Sequence, residues 1–171
     1  MSETFQILMM QKIKPAVQSI LENPDFDTIL PDIHELPPQK TINALFSFLC
    51  SPDESIKNKA IIAMGEVVSK MAESNLESAR TVMRRLMWSL NEESGWIGWG
   101  SAEAMAEIMA RNETLAKEYH QILLSYVTEG DNYLLYDKLR EEVMRGLKRL
   151  SLVYPKLVQK VLHLPEESQI T

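Results

Sequence analysis

The sequence predicts an all-α protein built from a short series of stacked helix pairs. No proline occurs from Asp53 to Tyr154, and this stretch is rich in the good helix formers Ala, Leu, Met, Glu, Lys and Arg. Alternating runs of β-branched residues, which would indicate strands, are absent from the sequence. A similar pattern of residues also returns three times at intervals of 41 and 42 residues. Regular recurrence at this spacing is typical of repeated helical units.

Composition and charge narrow the class of protein further. The 171 residues are 45% hydrophobic and 25% charged, as expected for one globular domain, 1–171. The longest run without a charge, 41–52, is too short to span a bilayer. Glu3 stands where a signal peptide would carry basic residues, so a cytoplasmic protein is expected. The single cysteine, Cys50, allows neither an internal disulfide nor a cysteine metal cage, and no cofactor is expected.

The elements are expected in a simple order along the chain. A helix at 3–22 forms an N-terminal cap, and four prolines within 24–38 indicate a loop that completes the segment 1–37. Three helix pairs occupy 38–164, with first helices at 38–50, 76–90 and 113–128 and second helices at 53–72, 100–111 and 137–152. A last helix covers 154–163, opened by Pro155, and 165–171 is a tail.

The repeats are visible in both helices of a pair. The second helices share a pattern in three segments: Ile56-Lys57-x-x-Ala60-x-x-Ala63-Met64-Gly65, Ile97-Gly98-x-x-Ser101-x-x-Ala104-Met105-Ala106 and Leu139-Arg140-x-x-Val143-x-x-Gly146-Leu147-Lys148. In the first helices, apolar residues at i, i+3, i+4 and i+7 lie on one face. A single pair cannot bury such a stripe alone, so each pair must pack on a neighbour.

This pattern resembles the second helix of HEAT repeats. There a bulky aliphatic residue is followed by a basic residue and then by small residues three and six places on. Lys57 and Arg140 occupy the basic position, whereas Gly98 departs from it. The resemblance covers 38–164 and implies a short α-solenoid of about three hairpins with capping helices. An irregular helical bundle is the alternative.

One turn differs in composition from the rest of the predicted repeats. All three tryptophans and three of the six glycines fall between Trp88 and Gly100, in the turn of the second pair. Trp96 and Trp99 either form an aromatic platform at a helix start, where free N–H groups suit an anion, or pack as core between repeats. Glu92 and Glu93 bring negative charge to the same turn and favour a cationic or metal-bearing partner instead.

The same turn resembles a signature of small uncharacterised HEAT-like proteins of anaerobic prokaryotes. That signature reads W-S-L-N-E-E-S-G-x-I-G-W-G and matches 88–100 here, with Trp96 at the variable place. The resemblance implies no activity. The turn of the third pair is longer and should lie on the same edge. The predicted partner-binding residues are Trp88, Asn91, Glu92, Glu93, Gly95, Trp96, Gly98, Trp99, Gly100, Tyr133 and Tyr136.

Charged residues on the second helices form a further pattern. Glu66, Glu107 and Arg149 occupy equivalent places, so packing of the repeats would align them, with Glu107 facing Arg149. Basic residues also gather late in the chain, and Glu141 is placed to pair with Arg145, four residues on. These basic residues form either a solvated face or a patch for a partner or phosphate.

These observations favour a noncatalytic protein-binding scaffold or adaptor that uses the aromatic, glycine-rich turn edge. The alternative is an enzyme or cofactor handler, since HEAT-like proteins include the bilin lyase subunits, which handle tetrapyrroles, and the DNA-alkylation glycosylases. A pI near 5.2 and a net charge of −6 weigh against nucleic acid and anionic membranes as partners. The identity of the protein partner is not encoded in any motif, and no metal site is indicated.

Overall fold

The computed structural model describes residues 13–91 and 98–162, and these residues form helices and turns without a strand. The helices are α1 (Ile13–Glu22), α2 (Phe26–Ile29), a 3₁₀ helix (Leu30–Glu35), α3 (Pro38–Leu49), α4 (Glu54–Ser74), α5 (Leu76–Leu90), α6 (Ser101–Arg111), α7 (Glu113–Ser125), α8 (Asp137–Ser151) and α9 (Pro155–Leu162). None of these described helices is both long and apolar enough to cross a membrane.

Short polar caps fix where the long helices begin. The Asp53 carboxylate accepts hydrogen bonds from the backbone N–H groups of Ser55 and Ile56, at 2.8 and 3.3 Å. Asn75 and Asn112 each end one helix and cap the next through the side-chain oxygen. A single residue therefore suffices to turn the chain from α4 into α5 and from α6 into α7.

The second helices of the three pairs form the centre of the molecule. α4 packs on α6, and α6 packs on α8, while α3, α5 and α7 lie against them. Small residues permit the close approach, since a Cβ at Gly146 would lie 3.0 Å from the Cβ of Ala106. The apolar stripes of both helix sets meet in one core that includes Leu45, Met83 and Met105. The predicted all-α class and the bounds of these six helices are confirmed to within three residues.

The proline-rich segment differs from the prediction. It contains α2 and the 3₁₀ helix rather than an open loop, and it buries Phe26, Leu30 and Ile33 against the core. Pro31 lies in the first turn of the 3₁₀ helix, where no intrahelical partner for its missing N–H is needed. The proline count therefore predicted too little structure. The expected cap helix at 3–22 is confirmed from Ile13 onward, and 3–12 lie outside the described residues.

Candidate functional site

A cavity of about 410 Å³ opens where α4, α6 and α8 begin. One wall is the turn from α3 to α4, another is Trp99, and the third is the first two turns of α8. Aromatic, sulfur and charged groups of both signs therefore share one concave surface. The lining residues are Cys50, Ser51, Pro52, Glu54, Lys57, Trp99, Lys138, Glu141, Glu142 and Arg145.

Trp99 stands at the edge of this cavity and is half-buried. Its ring meets that of Tyr136 in an edge-on arrangement, with centroids 6.0 Å apart and planes 66° apart. The two residues come from the turns before α6 and α8, so the expectation that these turns lie on the same edge is confirmed. Trp99 therefore combines the two alternatives drawn from the sequence, since it packs on the core and also faces a cavity.

The two described glycines of this turn are needed for backbone packing. A Cβ at Gly98 would lie 2.5 Å from the carbonyl oxygen of Ser89, and one at Gly100 would lie 2.9 Å from that of Leu49. Gly100 also has a φ of 72°, in the left-handed region that side chains disfavour. These glycines therefore allow close approach of the chain's own backbone.

The start of α6 does hold an anion, but the anion belongs to the chain. The Glu142 carboxylate accepts a hydrogen bond of 2.8 Å from the backbone N–H of Gly100. Its other oxygen lies 3.5 Å from Nζ of Lys57, which also donates a 3.0 Å hydrogen bond to Glu54. Glu142 and Lys57 are 1% and 6% exposed, so this is a buried ion pair at the floor of the cavity.

Burial changes the acidity of two groups here. Desolvation raises the pKa of Glu142, against the opposing effects of the Gly100 N–H and the Lys57 ammonium. Desolvation, with the nearby Glu142 carboxylate as the second cause, also raises the pKa of the Cys50 thiol. The Cys50 sulfur is therefore held as a thiol, and a thiolate nucleophile is disfavoured.

The remaining predicted site residues divide between exposed and packed positions. Trp88 is 75% exposed, and Asn91 is exposed at the end of α5. Tyr133 is half-buried under the guanidinium of Arg140, 4.7 Å from the ring centroid. Four further predicted residues lie outside the described residues: Glu92, Glu93, Gly95 and Trp96.

The turn before α8 exposes an apolar edge beside the cavity. Leu135 is 90% exposed, and its neighbour Tyr136 is 49% exposed while its ring rests on Trp99. Exposed apolar side chains that border a cavity and are surrounded by charged residues are a feature of protein-interaction sites. We call the surface formed by Trp99, Leu135, Tyr136, Lys138 and Glu141 the turn edge.

The charged ladder predicted on the second helices is confirmed. Arg149 Nε lies 2.6 Å from the Glu107 carboxylate, and Arg111 bridges Glu107 to Glu66. The predicted pairing of Glu141 with Arg145 is wrong, because Arg145 pairs with Glu103 of α6 at 2.7 Å.

Sequence reasoning missed Lys57, Glu142 and Cys50 as neighbours at one cavity. A signal was present for Glu142, since it falls three residues after Leu139 on the same stripe as Val143 and Leu147. A charged residue on an apolar helix stripe is rarely buried unless it is paired. No sequence pattern, however, indicated that its partner is Lys57, which lies 85 residues earlier in the chain.

The fold and this site define an all-helical protein with a mixed-charge, aromatic-edged cavity at one end of its central helices. No family model matches the chain, and no solved structure matches it. An uncharacterized protein of Archaeoglobus fulgidus is 30% identical over 140 residues, which are 80% of this chain and 68% of the archaeal one. The chain therefore belongs to the same family as this archaeal protein, whose description assigns no activity.

Proposed function

We propose that the protein is a noncatalytic protein-binding scaffold that docks its partner on the turn edge. The observation that carries the proposal is Leu135, which is 90% exposed next to the Trp99–Tyr136 pair at the mouth of the cavity. An exposed aliphatic anchor, an aromatic pair and a surrounding rim of charge are the usual composition of a protein interface.

We further propose that the helix pairs form a short HEAT-type α-solenoid. Contacts at the repeat interval support this arrangement, since side chains 42 residues apart pair between neighbouring units. The three such side-chain pairs are Asn43–Arg85, Glu103–Arg145 and Glu107–Arg149. In an arrangement of this kind the turns of successive pairs line one edge and offer a continuous docking surface.

The state of the polar groups in the cavity favours binding over catalysis. Both oxygens of Glu142 are engaged, one by Gly100 and the other by Lys57. Glu54 is hydrogen-bonded to Lys57 within α4, and Arg145 of α8 to Glu103 of α6, so these charges are engaged in structural contacts. The raised pKa of the Cys50 thiol further disfavours nucleophilic chemistry.

Affinity capture with matched variants tests the proposal. The tagged protein, Leu135→Ser and Leu152→Ser are each incubated with lysate of the source organism, and captured proteins are quantified by mass spectrometry. Leu152 is 79% exposed in the turn after α8 and serves as the control. We expect Leu135→Ser to lose a specific captured protein that Leu152→Ser retains. Equal capture by all three proteins would contradict the docking role of the turn edge.

A further inference from the structure

Among the residues that the structure describes, the outward face of α8 is lined by side chains of α8 alone, whereas α4 and α6 are each covered by the next central helix. Ala102 and Ala106 of α6 pack against Gly146 of α8. The residues 42 places later on α8 are Met144 and Lys148, which are larger and remain partly or fully exposed. A further helix on this face would therefore lie farther from α8 than α8 lies from α6.

A groove of about 530 Å³ runs along this face of α8. It is lined by Asp137, Arg140, Glu141, Met144, Arg145 and Lys148. Within the described parts of the chain, Lys138 and Glu141 form no ion pair, although they lie one turn apart on the same exposed face. Lys138 beside the groove and Glu141 in its lining thus place charges of opposite sign next to the half-buried Met144.

This pattern is self-complementary under a two-fold rotation. If two α8 helices lie antiparallel, with the axis midway between Lys138 and Glu141, each Lys138 meets the partner's Glu141. The same register sets the start of α8, where the preceding turn carries Leu135, beside the partner's Met144. One register therefore satisfies a charge pair and an apolar pair twice over, as an isologous interface requires.

We propose that the protein docks a second copy of itself through α8 and the turn edge, with Leu135 of each protomer filling the groove at the partner's Met144. This inference rests on the proposed function, because it names the partner of the docking surface. The exposed Leu135 would be buried in the dimer. The two Lys138–Glu141 pairs would fix the register and exclude other orientations.

Sedimentation velocity over a concentration series tests the pairing through charge reversal. The proteins compared are the parent, Lys138→Glu, Glu141→Lys, the double variant and Leu135→Asp. Lys117→Glu on α7 is the control for Lys138→Glu, because it changes the net charge by the same amount at an exposed position outside the groove. Circular dichroism confirms that each variant is folded.

The expected parent species at high concentration has twice the 19.6 kDa protomer mass. Each single reversal creates two like-charge contacts and should raise the dimer dissociation constant about tenfold or more. The double variant restores both pairs with their signs exchanged and should return to within about threefold of the parent. Leu135→Asp should be monomeric, and Lys117→Glu should match the parent.

A parent that stays monomeric throughout the series would overturn the inference, as would a double variant no tighter than the singles. The two proposals fail separately. A monomeric parent whose lysate capture still depends on Leu135 has a different protein as its partner, so the scaffold proposal stands and the self-docking proposal is wrong. A monomeric parent without Leu135-dependent capture contradicts both.

Discussion

The Glu142 carboxylate accepts a 2.8 Å hydrogen bond from the backbone N–H of Gly100, 42 residues earlier in the chain. Since Gly100 is the N-cap residue of α6, a side chain of one unit binds the start of a helix in the preceding unit. Lys57 of α4 reaches the same carboxylate, so a single buried group joins all three central helices at the cavity floor.

Removal of this carboxylate should separate its hydrogen-bonding role from its charge. In Glu142→Gln the amide oxygen can still accept from Gly100, whereas Glu142→Ala leaves the buried N–H without a partner. We therefore expect the unfolding free energy of Glu142→Ala to be about 1–3 kcal/mol below that of Glu142→Gln. Urea denaturation measures the unfolding free energies of both variants. Equal values would show that the hydrogen bond to Gly100 contributes nothing to the stability.

The stability should also depend on pH through Glu142. Because burial raises its pKa above 4.5, the folded protein binds this proton more tightly than the unfolded chain does. The resulting stability is fully present below the unfolded pKa and is lost as the pH rises through the folded value.

The unfolding free energy of the parent minus that of Glu142→Gln should therefore fall as the pH is raised from 4.5. Carboxylates whose pKa values are lowered, such as Glu77 and Glu118, act oppositely but cancel in this difference. A difference that is flat or rises with pH would be inconsistent with a raised pKa.

Two glycines with positive φ provide a matched test of the close packing at the turn. Gly100→Ala suffers left-handed strain and a 2.9 Å approach to the carbonyl oxygen of Leu49, whereas Gly130→Ala meets nothing within 4 Å. Gly130→Ala should cost about 1–2 kcal/mol from backbone strain alone. Gly100→Ala should cost more in the same thermal or urea unfolding experiment. If the two variants are equally stable, the contact with Leu49 does not constrain the turn.

The ladder on the central helices should couple energetically. Glu107 is nearly buried and accepts from Arg149 and Arg111, so a double-mutant cycle of Glu107→Ala and Arg149→Ala should give a coupling of about 1 kcal/mol. The exposed Lys70–Glu73 pair of α4 is the comparison and should couple less. Additive effects of Glu107→Ala and Arg149→Ala would mean that the ion pair adds no stability and that helix packing alone brings the two residues together.

The helices and their pairing were predictable because local signals agree. The periodic apolar residues, the proline-free stretch and the 41-residue interval all indicate the same helix pairs. The ladder from Glu107 to Arg149 followed from that interval, since equivalent positions on packed helices come together.

The cavity was less predictable because its contacts join distant positions of different repeats. Glu142 reaches Gly100 at the repeat interval, yet the aligned residues are chemically unrelated, so the pattern gave no reason to pair them. Gly98 and Gly100 were predicted as partner-binding residues for another reason. Sequence alone does not distinguish a glycine that admits a ligand from one that admits the carbonyl of Ser89 or Leu49.

Photo-crosslinking from the turn edge tests the central claim most directly. A benzoylphenylalanine is placed at Leu135 and, as control, at Leu152, which are 90% and 79% exposed. After irradiation in lysate or at high concentration of the purified protein, adducts are resolved by mass. If the turn edge is a docking surface, position 135 should give a discrete protein adduct and position 152 should give none. The adduct from position 135 should have the mass of two protomers if the partner is a second copy. Equal or absent crosslinking at both positions would contradict the assignment of the turn edge as a protein-docking surface.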